Sequence, residues 1–265
     1  MRTFLHCVFA AAAFLCAAPA ATATEIVDRP ELGKHFEAAG VSGTFVMLDA
    51  DAGRLHVFDR ERAARRFVPA STFKIFNGLV ALETGVIKDE DELVPYGGTP
   101  QRLKAWERDM SLRDGMRVSS VPVYQELARR AGLERMRRYV QLVGYGNGEI
   151  GDVVDRFWLD GPLAISAVEQ AFFANRLARR DLPFGERGMR IMRDILRQDE
   201  ASGHDLFAKT GWGDNGGIGL GWWVGWVERE GKIYAFALNI DLRRDGDAAK
   251  RQTVARACLT ALQVL

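Results

Sequence analysis

Residues 44–48 and 55–58 are short runs of β-branched, aromatic and aliphatic side chains joined through Asp49-Ala50-Asp51-Ala52-Gly53, a combination that predicts a β-hairpin. Ahead of them Pro30 suits the first turn of a short helix, Leu32 and Phe36 share a face, and Gly40 marks its end. The period then changes. Beyond Ser71 the apolar residues Ile75, Leu79 and Leu82 recur at helical spacing, and the chain reads as mostly helical to about Gln198, broken at 97–98, 144–151 and 181–185. Strands return at 206–209, 219–228 and 233–241, with Glu230-Gly231 turning the last pair. A helix over 248–265 closes the chain, with Val254, Cys258, Ala261, Leu262 and Leu265 on one stripe. Trp222, Trp223 and Trp226 fit a packed sheet face better than a ligand platform.

Strands at both ends with helices between them predict an α+β fold: a central antiparallel sheet built from both termini, flanked by terminal helices, with an inserted helical lobe. Residues 24–265 are expected to form a single unit, the sheet lobe from 24–68 and 199–265 and the mainly helical lobe from 69–198. Residues 1–23 read as an export signal: Arg2 is the positive start, an apolar run follows, and Ala21-Thr22-Ala23 is a small-residue cleavage site. That predicts a periplasmic protein with no stable membrane association. Cys16 lacks the small residue before it that lipidation would need.

The whole chain carries 36 Lys+Arg against 35 Asp+Glu, and losing Arg2 with the signal leaves 35 against 35. A neutral chain lacks the basic footprint of nucleic-acid binding. The local run Arg129, Arg130, Arg135, Arg137 and Arg138 reads as a solvated helix face partnered by Glu126 and Glu134. Only Cys258 survives signal removal, so no internal disulfide is possible, and its apolar setting makes it a core residue. His35, His56 and His204 lack the spacing of a metal site, and no metal is expected.

The chemistry concentrates in four short motifs. Ser71-Thr72-Phe73-Lys74 is the sole S-x-x-K and Lys209-Thr210-Gly211 the sole K-T-G, with Ser119-Ser120-Val121 and Tyr145-Gly146-Asn147 between them. S-x-x-K on a helix sets a hydroxyl and an amine one turn apart on one face, the arrangement a serine nucleophile needs if a lysine is to take its proton. A helix-capping Ser71 would share that local geometry. Lys74 can act as a base only as the neutral amine, which burial favours. Phe73, Val121, Trp158 and Leu159 are the apolar residues expected around it.

These motifs resemble class D, oxacillin-hydrolysing, serine β-lactamases. The likeness runs from about Gly43 to Arg251 through residues 69–77, Trp106-Glu107-Arg108-Asp109, 119–125, 145–147, 158–166, Lys209-Thr210-Gly211-Trp212 and 236–241. It implies a β-lactamase/transpeptidase-like fold and hydrolysis of the β-lactam ring through a Ser71 acyl-enzyme. It also implies that Lys74 takes up carbon dioxide to become a carbamate, N6-carboxylysine, and serves as base in both steps. No other cofactor is implied. Trp158 would then donate its indole N–H to the carbamate, although plain core packing also accounts for a tryptophan there.

Ser119 would pass a proton between Lys209 and the leaving nitrogen. The substrate, a small-molecule β-lactam, would be held by Val121, Leu159, Thr210, Gly211, Trp212 and Arg251. Arg251 is the candidate for the substrate carboxylate, with Lys250 and Arg256 as competitors. Gly211 would let its strand approach the ligand closely. Backbone N–H groups of Ser71 and Trp212 would form the oxyanion hole. Tyr145-Gly146-Asn147 reads as a structural turn. Class A enzymes carry S-D-N and a separate glutamate; here the middle motif ends in Val121, and Glu169 lacks that context. A penicillin-sensing domain that stays acylated and a D,D-peptidase are the alternatives, since both share S-x-x-K. Loop shape around Leu103, Leu159 and Trp212 would decide which β-lactams fit.

Overall fold

The computed structural model describes residues 24–201 and 203–265. The expected export signal at 1–23 lies outside the described residues. Strand β1 (Glu25–Asp28) leads through a 3-10 turn (Pro30–Leu32) into helix α1 (Gly33–Ala39), then into the hairpin of β2 (Gly43–Asp49) and β3 (Arg54–Phe58). Helices α2 (Arg60–Ala64), α3 (Lys74–Glu83), α4 (Leu112–Arg117), α5 (Val121–Ala131), α6 (Leu133–Val143), α7 (Ala167–Ala178) and α8 (Glu186–Leu196) follow, with 3-10 turns at Ala70–Phe73 and Lys104–Trp106. The chain returns to the sheet as β4 (Arg197–Ala201), β5 (His204–Asn215), β6 (Ile218–Arg229) and β7 (Lys232–Leu242), then ends in α9 (Asp247–Ala261).

These strands form one seven-stranded sheet in the order β1-β3-β2-β7-β6-β5-β4. The join between the two ends of the chain is the antiparallel pairing of β2 with β7, from Gly43 opposite Ile240 to Asp49 opposite Tyr234. The central strands are antiparallel as expected, and the edge strand β1 runs parallel to β3. The helical crossover at 30–39 allows this, because it carries the chain over one face before β2 and β3 reverse it.

Side-chain alternation divides the core in two. On one face α1 and α9 cover Phe45, Met47, Trp223, Phe236, Leu238 and Ile240. On the other, the helical lobe covers Val46, Leu48, Trp222, Val224, Trp226, Ala235 and Ala237. The three sheet tryptophans are thus buried on both faces rather than one. Each fully buried large apolar side chain contributes roughly 1.5–3 kcal/mol, so β6 is anchored from both sides and holds β5 in place beside it. The stripe on α9 is Val254, Ala255, Cys258 and Leu259, while Ala261 is exposed at the end of the helix, contrary to the expected stripe. Burial pushes the Cys258 thiol up to about 12, leaving it inert as a nucleophile. The arginine run pairs as expected at Arg129 and Arg130 with Glu126 and at Arg137 with Glu134. Among the described residues no helix is long and apolar enough to cross a membrane.

Candidate active site

Ser71 sits in the 3-10 turn that opens α3, where the first N–H groups of a helix have no carbonyl behind them. Ala70, just before it, is held at φ 49 and gives its N–H to the Trp158 carbonyl at 2.9 Å. A non-glycine residue in that region costs about 1–3 kcal/mol and persists only where its surroundings enforce it. Here the enforcement comes from the segment bearing Trp158, whose ring stacks on Phe73 with centroids 5.2 Å apart. The turn that aims Ser71 is therefore fixed by both backbone and ring contacts.

One turn on, Lys74 is fully buried (0 % exposed), with Nζ 2.8 Å from Ser71 Oγ and 5.4 Å from the centre of the Tyr124 ring. No carboxylate pairs with it among the described residues. Burial, and then the positive charge of Lys209, hold its amine well below the usual lysine range. A neutral Nζ can accept the Ser71 proton. Trp158 Nε1 is buried without a hydrogen-bond partner, although its backbone carbonyl and ring are both engaged. A buried N–H left unpaired costs about 1–3 kcal/mol, so this donor is poised for an acceptor.

The opposite wall is β5. It pairs with β6 along its length but with β4 only as far as Phe207, so beyond that residue its other side is free for the turn that bears Ser71. Lys209 Nζ lies 3.0 Å from Ser119 Oγ and 2.9 Å from the Thr210 carbonyl. Burial, with the nearby Arg251 cation adding to it, lowers Lys209 to about 7. Ser119 is the second non-glycine residue near the site at positive φ, 54°, where the chain turns from α4 into α5.

Arg251 reaches over from α9. Its guanidinium donates to the carbonyls of Ala248 and Gly211, the latter at 2.6 Å, and its stem crosses β6 at Gly221, where a Cβ would stand 2.7 Å from Arg251 Cδ. The competing cations are engaged elsewhere. Lys250 pairs with Asp247, and Arg256 lies over the Trp223 ring on the far face of the sheet.

Ser71, Ser119, Val121, Leu159, Thr210, Trp212 and Arg251 line a single cleft of about 700 Å³. Lys74, Trp158 and Lys209 lie buried beneath it. Leu103 and Trp212, 47 % and 58 % exposed, give it two open apolar surfaces. An added Cβ at Gly211 would meet Trp222 Cβ at 3.1 Å, Thr72 Cγ2 at 3.2 Å and the Pro69 carbonyl at 3.3 Å. The missing side chain lets β5 approach the nucleophile turn closely.

Tyr145-Gly146-Asn147 does not line the cleft. Asn147 clips the turn to the 162–164 segment through three hydrogen bonds: N–H to the Ala164 carbonyl, Nδ2 to the Pro162 carbonyl, and Oδ1 from the Ala164 N–H. Glu169 is also absent from the lining. It closes the capping box of α7 with Ser166 and takes a forked hydrogen bond from Arg66. Burial opposes its ionisation, but the Arg66 and Ser166 hydrogen bonds outweigh that and hold the carboxyl below its usual range. Sequence reasoning did not find Arg102, Arg156, Asp160 and Asp214 at the cleft. Asp160 falls inside the W-x-x-G-P-L segment, but nothing local marks the other three.

Residues 43–260 match the family described as penicillin binding protein transpeptidase domain. The chain is 37 % identical to β-lactamase OXA-10 of Pseudomonas aeruginosa over 96 % of its own length and 95 % of that protein. It is similar to the crystal structure of FUS-1 (OXA-85), a class D β-lactamase from Fusobacterium nucleatum subsp. polymorphum, with TM-score 0.87 and 39 % identity, covering 90 % of this chain and all of that one. The class D β-lactamase YbXI from Nostoc gives TM-score 0.86 and 41 % identity over 88 % of this chain and 99 % of that one.

Proposed function

The chain belongs to the class D β-lactamases, and on that premise we propose how its own residues open a β-lactam ring and so give antibiotic resistance. Ser71 Oγ bonds to the lactam carbonyl carbon while its proton passes to Lys74 Nζ. The carbon–nitrogen bond of the ring breaks, and the nitrogen takes a proton through Ser119 Oγ, replenished from Lys209. Backbone N–H groups of Ser71, at a helix start, and Trp212, on the free side of β5, steady the developing oxyanion. The substrate carboxylate is received by Arg251, Thr210 and the charge of Lys209. Lys74 then hands the Ser71 proton on to Lys209, and in the second step it accepts a proton from the attacking water and returns it to Ser71 Oγ as that oxygen leaves the acyl carbon.

Lys74 is further proposed to work as its carbamate. Carbon dioxide added to a neutral amine gives a carboxylate-like base and releases one proton, so it would supply one base for both steps. Two observations support the fit: the amine is fully buried, which holds it well below the usual lysine range, and Trp158 Nε1 is an unpaired buried donor. The composition of residues 1–23 supports placing the enzyme in the periplasm.

The observation that carries the catalytic assignment is the 2.8 Å separation of Ser71 Oγ from a buried, unpaired Lys74 Nζ. A slow penicillin is expected to add one ligand mass to the Ser71 peptide, and a chromogenic cephalosporin to be turned over continuously. An adduct on another residue would overturn the nucleophile. A single stoichiometric burst would mark a sensor instead.

A further inference from the structure

Three guanidinium groups line the cleft, and two of them are engaged. Arg251 donates to Ala248 and Gly211, and Arg156 is held by Asp160, Nε to Oδ2 at 2.6 Å. Arg102 makes no hydrogen bond or ion pair among the described residues, and its side chain is exposed. The backbone beneath it is nevertheless fastened. The Gln101 N–H donates to Glu107 at 3.2 Å, the Gln101 side chain donates to the Thr99 carbonyl, and the Trp106 N–H reaches the Leu103 carbonyl at 2.9 Å. A free cation on a tethered backbone stands beside the apolar surface of Leu103 and Trp106.

The carboxylates of the cleft are distributed unevenly too. Asp160 is neutralised by Arg156, while Asp214, at the end of β5, accepts from the Gly217 N–H and has no ion partner among the described residues. One unpaired positive charge thus lies on the loop wall and one unpaired negative charge on the β5 wall. A second negative charge on a substrate side chain has one favourable seat, at Arg102.

We propose that Arg102 forms a subsite for a second carboxylate, carried on the acyl side chain, so that dianionic penicillins are favoured over their monoanionic counterparts. The first carboxylate is taken at Arg251 and Thr210, the side-chain body lies on Leu103 and Trp106, and the second charge meets the Arg102 guanidinium. The proposal rests on the β-lactam-hydrolysing reading above. A solvent-exposed ion pair is weak, so the preference it creates is modest.

The test uses benzylpenicillin and α-carboxybenzylpenicillin, which differ by that one carboxylate. The kcat/KM ratio of the second to the first is measured for the full chain and for R102Q and R102K. R102Q is expected to lower the ratio about three- to tenfold, chiefly through KM of the dianion, and R102K to restore most of it. Raising the salt concentration should lower the ratio of the unmodified enzyme and leave that of R102Q flat. An equal ratio in all three proteins, or a ratio that moves in D214N and not in R102Q, overturns the subsite. Absence of benzylpenicillin turnover in the unmodified enzyme would instead overturn the underlying reading of the site.

Discussion

Two lysines face the two serines of this cleft from opposite walls, and burial gives them opposite work. On the α3 wall, Lys74 is fully buried beside the Tyr124 ring with no ion partner among the described residues, and its amine is held well below the usual lysine range. On the β5 wall, Lys209 is nearly as buried but rests on Ser119 Oγ and the Thr210 carbonyl with Arg251 nearby, and it stands at about 7. Desolvation acts on both. What separates them is what each touches: among the described residues Lys74 Nζ meets only Ser71 Oγ and the Tyr124 ring, whereas Lys209 rests on Ser119 Oγ and on the carbonyl and hydroxyl of Thr210. Environment, not residue type, makes one lysine a base and the other a poised proton donor.

Removing the base should give the largest effect. Lys74→Met is expected to abolish turnover, by roughly 10⁴-fold or more, because the Ser71 proton loses its acceptor. The same change should stabilise the fold. The folded pKa of Lys74 is depressed, so between that value and the unfolded value of 10.5 the unfolded chain holds the extra proton, and native stability rises with pH. As pH falls from 10.5 toward neutrality, the native state carries a growing penalty for the buried lysine. Lys74→Met should therefore raise Tm by on the order of 5 °C there, with the gain shrinking as pH approaches 10.5. A destabilised Lys74→Met would contradict the contrast between the two walls.

The β5 wall is tested by Arg251→Ala. Losing the carboxylate fork should lower kcat/KM by about 30- to 1000-fold. Its pH signature distinguishes an electrostatic role from simple lost contact. In the unmodified enzyme the kcat/KM profile should fall on the acid side as Lys74 gains a proton, and on the alkaline side, from near pH 7, as Lys209 loses one. Arg251 is the smaller of the two causes lowering Lys209, so its removal should move the alkaline limb upward only in part, burial remaining in force. An unmoved limb would mean that Arg251 does not tune Lys209.

Trp158→Phe should cost less, about tenfold in kcat, because the ring stack on Phe73 survives and only the indole N–H is lost. If Trp158 steadies a Lys74 carbamate, the loss should fall on deacylation, acyl-enzyme should accumulate, and added bicarbonate should recover part of the rate. Bicarbonate without effect on either protein, together with no carbamate carbon in carbon-13 NMR, would remove the carbamate from the mechanism.

The parts of this site that were legible in the sequence are those fixed by local geometry. S-x-x-K places Ser71 over Lys74 through helical spacing alone, and K-T-G lies on a strand whose alternation is plain. The illegible parts depend on long-range approach. Arg251 was the candidate and Lys250 and Arg256 its competitors, and only the docking of α9 separates them, sending Arg251 to β5, Lys250 to Asp247 and Arg256 to Trp223. The close approach of Gly211 to the turn at 69–72 had no local signal, because that turn is more than a hundred residues away in sequence. Four residues of β1 are too few to show a period, so its parallel pairing had no local signal. Arg102, Arg156 and Asp214 line one cleft only because two separate loops and the end of β5 converge on it.

The smallest kinetic effect is expected at Glu169, and it tests whether the base is confined to the α3 wall. Glu169 is the acid that follows the W-x-x-G-P-L segment, and by sequence order it is the residue to which a second base would be assigned. In the fold its carboxylate accepts from the Ser166 N–H at 2.8 Å and from Arg66 Nε at 3.0 Å, and it stands outside the catalytic cleft. Glu169→Ala removes one half of the capping box and an exposed ion pair, which should cost about 1–2 kcal/mol of stability and lower Tm by a few degrees. Both kcat and KM should stay within about twofold, since no atom of Glu169 lies where the deacylating water must be activated. A stable Glu169→Ala variant that acylates normally but traps its acyl-enzyme would give the base role to Glu169, and the division of labour between the two lysines would have to be redrawn.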